Sequence, residues 1–128
     1  MDVICDYCQT TAALVGGDVI YSHRPDLYQK KFWLCAPCDA YVGTHKNSPT
    51  HEPLGRLANK ELRMWKGNAH TVFDPMWLEK KMKRTEAYVW LADALGIHPK
   101  DCHIGMFDVA MCKRVIEVVK NERNNNNN

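Results

Sequence analysis

"CDYC" at Cys5–Cys8 and "CAPC" at Cys35–Cys38 decide how the rest of this chain is read. Two residues between cysteines let one tight turn, a knuckle, present both sulfurs to the same ion, and zinc takes four such ligands in a tetrahedron. Two knuckles complete the shell, so Cys5, Cys8, Cys35 and Cys38 are the expected ligands of a structural Zn2+. The 26 residues between Cys8 and Cys35 contain an apolar run "AALV", a turn "GGD" and a second run "VIY". These read as a hairpin that brings the chain back across the metal, and "KKFWL" reads as a third strand entering the second knuckle. A dithiol redox pair needs one such motif beside a βαβ unit, and no βαβ pattern is present. Four sulfurs leave no open coordination position, so the expected role of the metal is folding and not catalysis. A mixed shell that exchanges one cysteine for His45 or His51 is the alternative. Cys102 and Cys112 could join His98 and His103 in a second site, but their spacing matches no common zinc module. Buried small apolar residues is the plainer reading of those two cysteines.

The chain has 128 residues, 45% hydrophobic and 25% charged, the composition of an ordinary globular protein. Its last five, Asn124–Asn128, are a homopolymer that cannot bury a face and is expected to be disordered. "MDVICDYC" lacks the basic start and long apolar run of a secretory signal, and no stretch reaches the eighteen or so apolar residues that cross a bilayer. A cytoplasmic protein without membrane contact is therefore expected, and in a reducing compartment paired cysteines are more often metal ligands than disulfides. Formal net charge is +2, and a zinc ion with four thiolates brings the molecule near zero. Overall charge thus gives no licence for nucleic-acid binding. The distribution is uneven: residues 1–53 carry four Lys/Arg and six Asp/Glu, residues 54–84 eight against three, and residues 85–128 five against six.

From Leu54 the period changes. Leu57, Ala58, Leu62, Trp65, Ala69, Val72 and Phe73 recur at three- and four-residue steps and predict one face of an amphipathic helix, with Trp65 buried. Arg56, Lys60, Arg63, Lys66 and His70 fall opposite, a stripe that suits either a phosphate backbone or plain solvation. "FDPMW" places Asp74 as an N-cap and Pro75 at the first position of the next helix. That helix exposes Lys80, Lys81, Lys83 and Arg84, then turns Tyr88, Leu91 and Leu95 inward before Gly96 stops it. Thr85 could cap a separate second helix, so residues 75–95 hold one bent helix or two. Asp108 is placed to cap a last helix with Val109, Cys112, Val115, Ile116 and Val119 on one face. The loop before it, about a dozen residues, is too long for a helix-turn-helix.

The strings "CDYC", "FWLCAPCDAYVGTHK", "PLGRLANKELRMWK", "AHTVFDPMW", "EAYVWLA" and "CHIGMFD" together resemble a zinc-finger-containing family found in phages and bacteria, often near mobile elements. The resemblance covers the chain to about Glu122 and implies metal ligands at Cys5, Cys8, Cys35 and Cys38. It also implies a phage or prophage setting, hence a bacterial host cytoplasm. The expected architecture is α+β: an N-terminal antiparallel zinc ribbon over residues 1–53, packed against a C-terminal bundle of three or four helices over 54–123 as one compact unit. No His, Asp or Glu cluster, His23, His45, His70 and His103 included, has a recognised catalytic spacing, so no enzyme is expected. The expected function is a zinc-stabilised nucleic-acid-binding accessory protein. DNA or RNA would meet Arg56, Lys60, Arg63, Lys66, Lys80, Lys81, Lys83 and Arg84. The alternative is a protein-interaction module for a host or phage protein, offering the loops "HRPDLY" and "CHIGMFD".

Overall fold

β-branched and aromatic residues flank both cysteine pairs, and they form a three-stranded antiparallel meander in the order β1 (Ala13–Gly16), β2 (Lys31–Cys35), β3 (Ala40–Gly43). Ala13 pairs with Leu34 and Gly16 with Lys31 on one side of β2; Phe32 pairs with Gly43 and Cys35 with Ala40 on the other. The computed structural model describes residues 1–79 and 82–126, the last of these by its backbone alone. Backbone contacts divide the chain into two compact units, Met1–Lys60 and Glu61–Asn128.

In the first unit "KKFWL" supplies β2 as expected, but "VIY" forms no strand. Gly17 begins a single helical turn, α1 (Gly17–Ile20), and its N–H donates to Lys30 O at 2.8 Å, which ends the ladder. Tyr21 is thereby carried over the sheet, where its ring meets Phe32 and Tyr41 edge to face at 5.7 and 6.1 Å. The absent Cβ of Gly17 is required: one built there lies 1.7 Å from the Leu27 carbonyl oxygen, and a backbone atom cannot swing aside. Gly17→Ala is expected to cost about 3 kcal/mol or more. Urea unfolding checks it, and a loss under about 1 kcal/mol would show that the Leu27 turn yields.

The expected helix from Leu54 starts later. Ala58 exchanges two backbone hydrogen bonds with Tyr41, at 3.1 and 3.0 Å, extending the sheet beside β3, and Leu57 is 1% exposed in the core of this unit. That core is Val3, Cys5, Ala12, Trp33, Cys35, Ala40 and Leu57. The spacing of Leu57 and Ala58 suits a helix and a half-buried extended segment equally, and strand pairing decides the outcome. Arg56 accordingly lies outside the helix; its Nε stands 3.0 Å from the Asp6 carboxylate and its guanidinium lies over the Tyr7 ring.

The second unit begins within α2 (Lys60–Phe73), followed by α3 (Pro75–Leu78), α4 (Arg84–Leu95) and α5 (Val109–Asn126). The described residues between 75 and 95 therefore form two helices, and Lys83, in extended conformation, precedes α4 in place of Thr85. Asp74 is helical and does not cap α3 with its side chain; its carboxylate lies 3.2 Å from His70 Nδ1, one turn earlier. Asp108 does cap α5, accepting from Met111 N–H at 2.8 Å. Gly96, at φ +73°, closes α4 with Ile97 N–H on Ala92 O, a left-handed helix stop. Leu62, Ala69, Phe73, Ala87, Leu91, Leu95, Cys112, Val115 and Val119 are buried. Asn124–Asn126 continue α5, against the expected disordered tail, because extending an existing helix needs no new nucleus. Asn127 and Asn128 lie outside the described residues. "CHIGMFD" is largely core, with Cys102, Ile104 and Phe107 buried and Met106 alone of its large apolar side chains exposed. In "HRPDLY", Arg24 is paired with Asp26 and the Tyr28 hydroxyl donates to Ser22 O.

Candidate metal centre

Each cysteine pair is wound into a knuckle by its own backbone. Cys5 N–H donates to Thr10 O at 2.9 Å and Gln9 N–H to Cys5 O at 2.8 Å, so the chain reverses around Cys8. The second pair is the hairpin loop between β2 and β3: Cys35 ends one strand, Asp39 N–H donates to Ala36 O at 3.1 Å, and β3 starts at Ala40. In both knuckles the residue after the second cysteine has left-handed backbone, Gln9 at φ +64° and Asp39 at +50°. This conformation costs a side-chain-bearing residue about 1–2 kcal/mol, and a strong cross-link is what such strain needs.

The four Sγ atoms lie within 4.8 Å of one another, with Cys8 and Cys35 3.5 Å apart. Two thiolates at about 2.3 Å from a tetrahedral zinc stand about 3.8 Å apart, so the cluster has the dimensions of that shell. It is too open for disulfides, whose sulfurs are about 2 Å apart, and all four cysteines are free. Cys5 and Cys35 are buried, Cys38 is half-buried and Cys8 is exposed, so the group sits at the margin of the core.

Electrostatics point to a cation. The Thr10 hydroxyl, 3.0 Å from Cys8 Sγ, together with the Thr10 amide and the Cys35 thiol, draws the Cys8 thiol down to about 6. The Cys8 sulfur and burial push Cys38 up to about 12. Cys35 is also raised: the Cys38 backbone amide favours its thiolate, but burial and the sulfurs of Cys8 and Cys5 outweigh it. One thiolate forms readily and the next are resisted by the first, the behaviour of a group that needs a divalent ion to ionise fully. Cys5, Cys8, Cys35 and Cys38 thus form the donor set of a structural zinc, which would lock the two knuckles together.

No histidine joins this set. Among the described residues these four cysteines are the one His/Cys/Asp/Glu group close enough to hold a metal, so neither the mixed shell with His45 or His51 nor a second site at Cys102, Cys112, His98 and His103 is formed. Cys102 and Cys112 are buried as small apolar side chains, and burial raises the Cys102 thiol. His98 Nδ1 accepts from Lys100 N–H at the turn before Cys102.

The cations assigned to nucleic acid have varied surroundings. Lys60, Lys83 and Arg84 are exposed, Arg63 is half-buried, and Lys66 donates to Gly105 O at 2.6 Å. The Arg84 guanidinium lies over the Tyr88 and Trp77 rings at 4.7 and 5.5 Å. Trp65, expected to be buried, is half-buried beneath the Lys113 ammonium. Lys80 and Lys81 lie outside the described residues. Thr10, Gln9 and Asp39 were not foreseen as parts of the site; their positions just after each knuckle are the signal that could have found them. No helix among the described residues is long and apolar enough to cross a membrane.

A family described as a zinc-finger-containing domain matches residues 1–122. No curated protein and no solved structure matches the chain.

Proposed function

The chain belongs to this zinc-finger-containing domain family, and on that premise we propose that it is a zinc-stabilised accessory protein that binds nucleic acid, encoded by a phage or prophage. The observation that carries the reading is the exposure of Lys60, Lys83 and Arg84 within a segment, residues 54–84, that has eight Lys/Arg against three Asp/Glu. Each cation that meets a phosphate releases a condensed counterion, so affinity from such contacts falls steeply as salt rises. Arg84 is suited to that work, because two aromatic rings order its guanidinium before any phosphate arrives. In this reading zinc folds the protein and catalyses nothing, since four thiolates fill its shell. Fluorescence anisotropy with single- and double-stranded DNA and RNA at low salt is expected to show binding at micromolar protein, lost as salt is added. Absence of binding to every one of these probes would overturn the reading.

A protein-interaction module for a host or phage protein is favoured by one feature, Met106, which stands 56% exposed between the buried Ile104 and Phe107. Methionine there offers an adaptable apolar anchor. A partner recovered from bacterial lysate after nuclease treatment, and lost on Met106→Ala, separates this reading from the first.

A further inference from the structure

All four Lys and Arg residues of the first 53 positions, Arg24, Lys30, Lys31 and Lys46, line one groove on the first unit. Of the six Asp and Glu residues in the same stretch, Asp26 alone is among the described lining residues, and both its oxygens are already taken by Arg24 at 2.9 and 2.8 Å. A segment that is acidic by count is therefore cationic where it is concave. The groove has a volume of about 800 Å³, within the roughly 300–1,000 Å³ of sites that enclose organic ligands.

Its walls are built and held. One is the loop from Tyr21 to Lys31, fixed by Gly17 N–H on Lys30 O. The other is the extension beyond β3, zipped by His45 N–H on Glu52 O and Leu54 N–H on Gly43 O, both 2.9 Å. The nearly buried Trp33 reaches into that wall from the core and donates its indole N–H to His51 O at 2.7 Å. That bond holds His51, which has left-handed backbone at φ +55°; Asn47, in the same loop, is also left-handed at φ +68°. Tyr21 and Phe32 give the groove an aromatic end, and the Asn47 and Ser48 side chains line it with the hydrogen-bonding groups that read base edges.

We propose that this groove binds single-stranded nucleic acid, with its lysines along the phosphates and an unstacked base against Tyr21. The proposal rests on the nucleic-acid reading above and adds a contact surface on the zinc-bearing unit. A concave cationic channel with an aromatic end suits a flexible strand whose bases splay out. A duplex keeps its bases stacked away from such a ring, and a run of carboxylate side chains such as polyglutamate has no ring to set against it.

The test uses the full zinc-loaded chain, a labelled oligothymidylate of about 12 nucleotides, the matching duplex, and polyglutamate. Lys30, Lys31 and Lys46 are all exposed, so Lys30→Gln, Lys31→Gln and Lys46→Gln combined should keep the zinc and the melting temperature of the parent. The combined variant is expected to bind the single strand about 100-fold more weakly at low salt. Its slope of log affinity against log salt should be smaller by about 2, from roughly 0.7 per phosphate. Arginine at the same three positions should restore both. A parent that binds while the glutamine variant is indistinguishable from it overturns the groove and leaves the nucleic-acid reading standing. A parent that binds none of the nucleic-acid probes overturns that reading itself. Duplex or polyglutamate bound as tightly as the single strand, with the same dependence on the lysines, overturns the assignment to single strands.

Discussion

Cys35→Ser is expected to unfold residues 1–60 and leave less than half an equivalent of zinc on freshly purified, reduced protein. The serine oxygen is a poor replacement for a thiolate, and a three-sulfur shell surrenders much of the roughly 10–16 kcal/mol by which a structural zinc drives folding. Total stabilities of single domains run to about 5–15 kcal/mol, so this is the whole margin. The lobe has little else to fall back on. Two of the seven residues of its buried cluster are the ligands Cys5 and Cys35 themselves, and the left-handed turns at Gln9 and Asp39 are held against their own strain. Hydrogen exchange reads the outcome at the amides of Cys5, Ala12 and Tyr41, each bonded across the unit to Thr10, Val3 and Ala58. All three should lose protection in the variant, and in the parent after chelation. Cys112→Ala, in a helix with no part in the cluster, should retain one full equivalent. Cys35→Ser protein that keeps both its zinc and these protected amides would remove the metal from the account of this fold.

The donor set was legible in the sequence because coordination chemistry imposes its own spacing: two residues between sulfurs make a knuckle whatever surrounds it. β2 was legible for a similar local reason, an apolar aromatic run ending in a ligand. Other parts depended on partners that lie far off in the chain. "VIY" and the pair Leu57–Ala58 each have apolar residues that suit more than one period, and the choice was made by Lys30, which ends the ladder at Gly17, and by Tyr41, which pairs with Ala58. Asp74 has the composition of a cap, but the backbone runs through it in helical conformation and its carboxylate turns to His70. Asp108, with the same composition, follows extended Phe107 and caps α5. The cationic groove was the least legible feature. Arg24, Lys30, Lys31 and Lys46 are spread over 23 positions in a stretch, residues 1–53, that holds six carboxylates, and only the folding of two loops toward each other gathers the positive charge on one side.

Phe73→Ala carries the largest expected effect in the second unit. Phe73 is fully buried and heads the side chains with under 2% exposure in volume. It ends α2 on the same face as Leu62 and Ala69, and its ring meets Tyr88 of α4 edge to face at 4.9 Å and 73°. Removing a ring from such a position forfeits its transfer free energy and leaves a cavity that helices cannot collapse, about 3–5 kcal/mol in all. For a unit of this size the loss corresponds to a fall in melting temperature of more than about 12 °C, read by far-ultraviolet circular dichroism. Phe73→Leu keeps most of the volume and should fall between the parent and the alanine variant. Tyr88→Phe keeps the facing ring and should stay within about 1 kcal/mol, which tests whether the aromatic contact or the hydroxyl matters at this joint. Zinc content should remain at one equivalent in all three, because every ligand lies in residues 1–60. A Phe73→Ala protein as stable as the parent would show that α4 closes over the space, and that the packing of this unit is set elsewhere than at the end of α2.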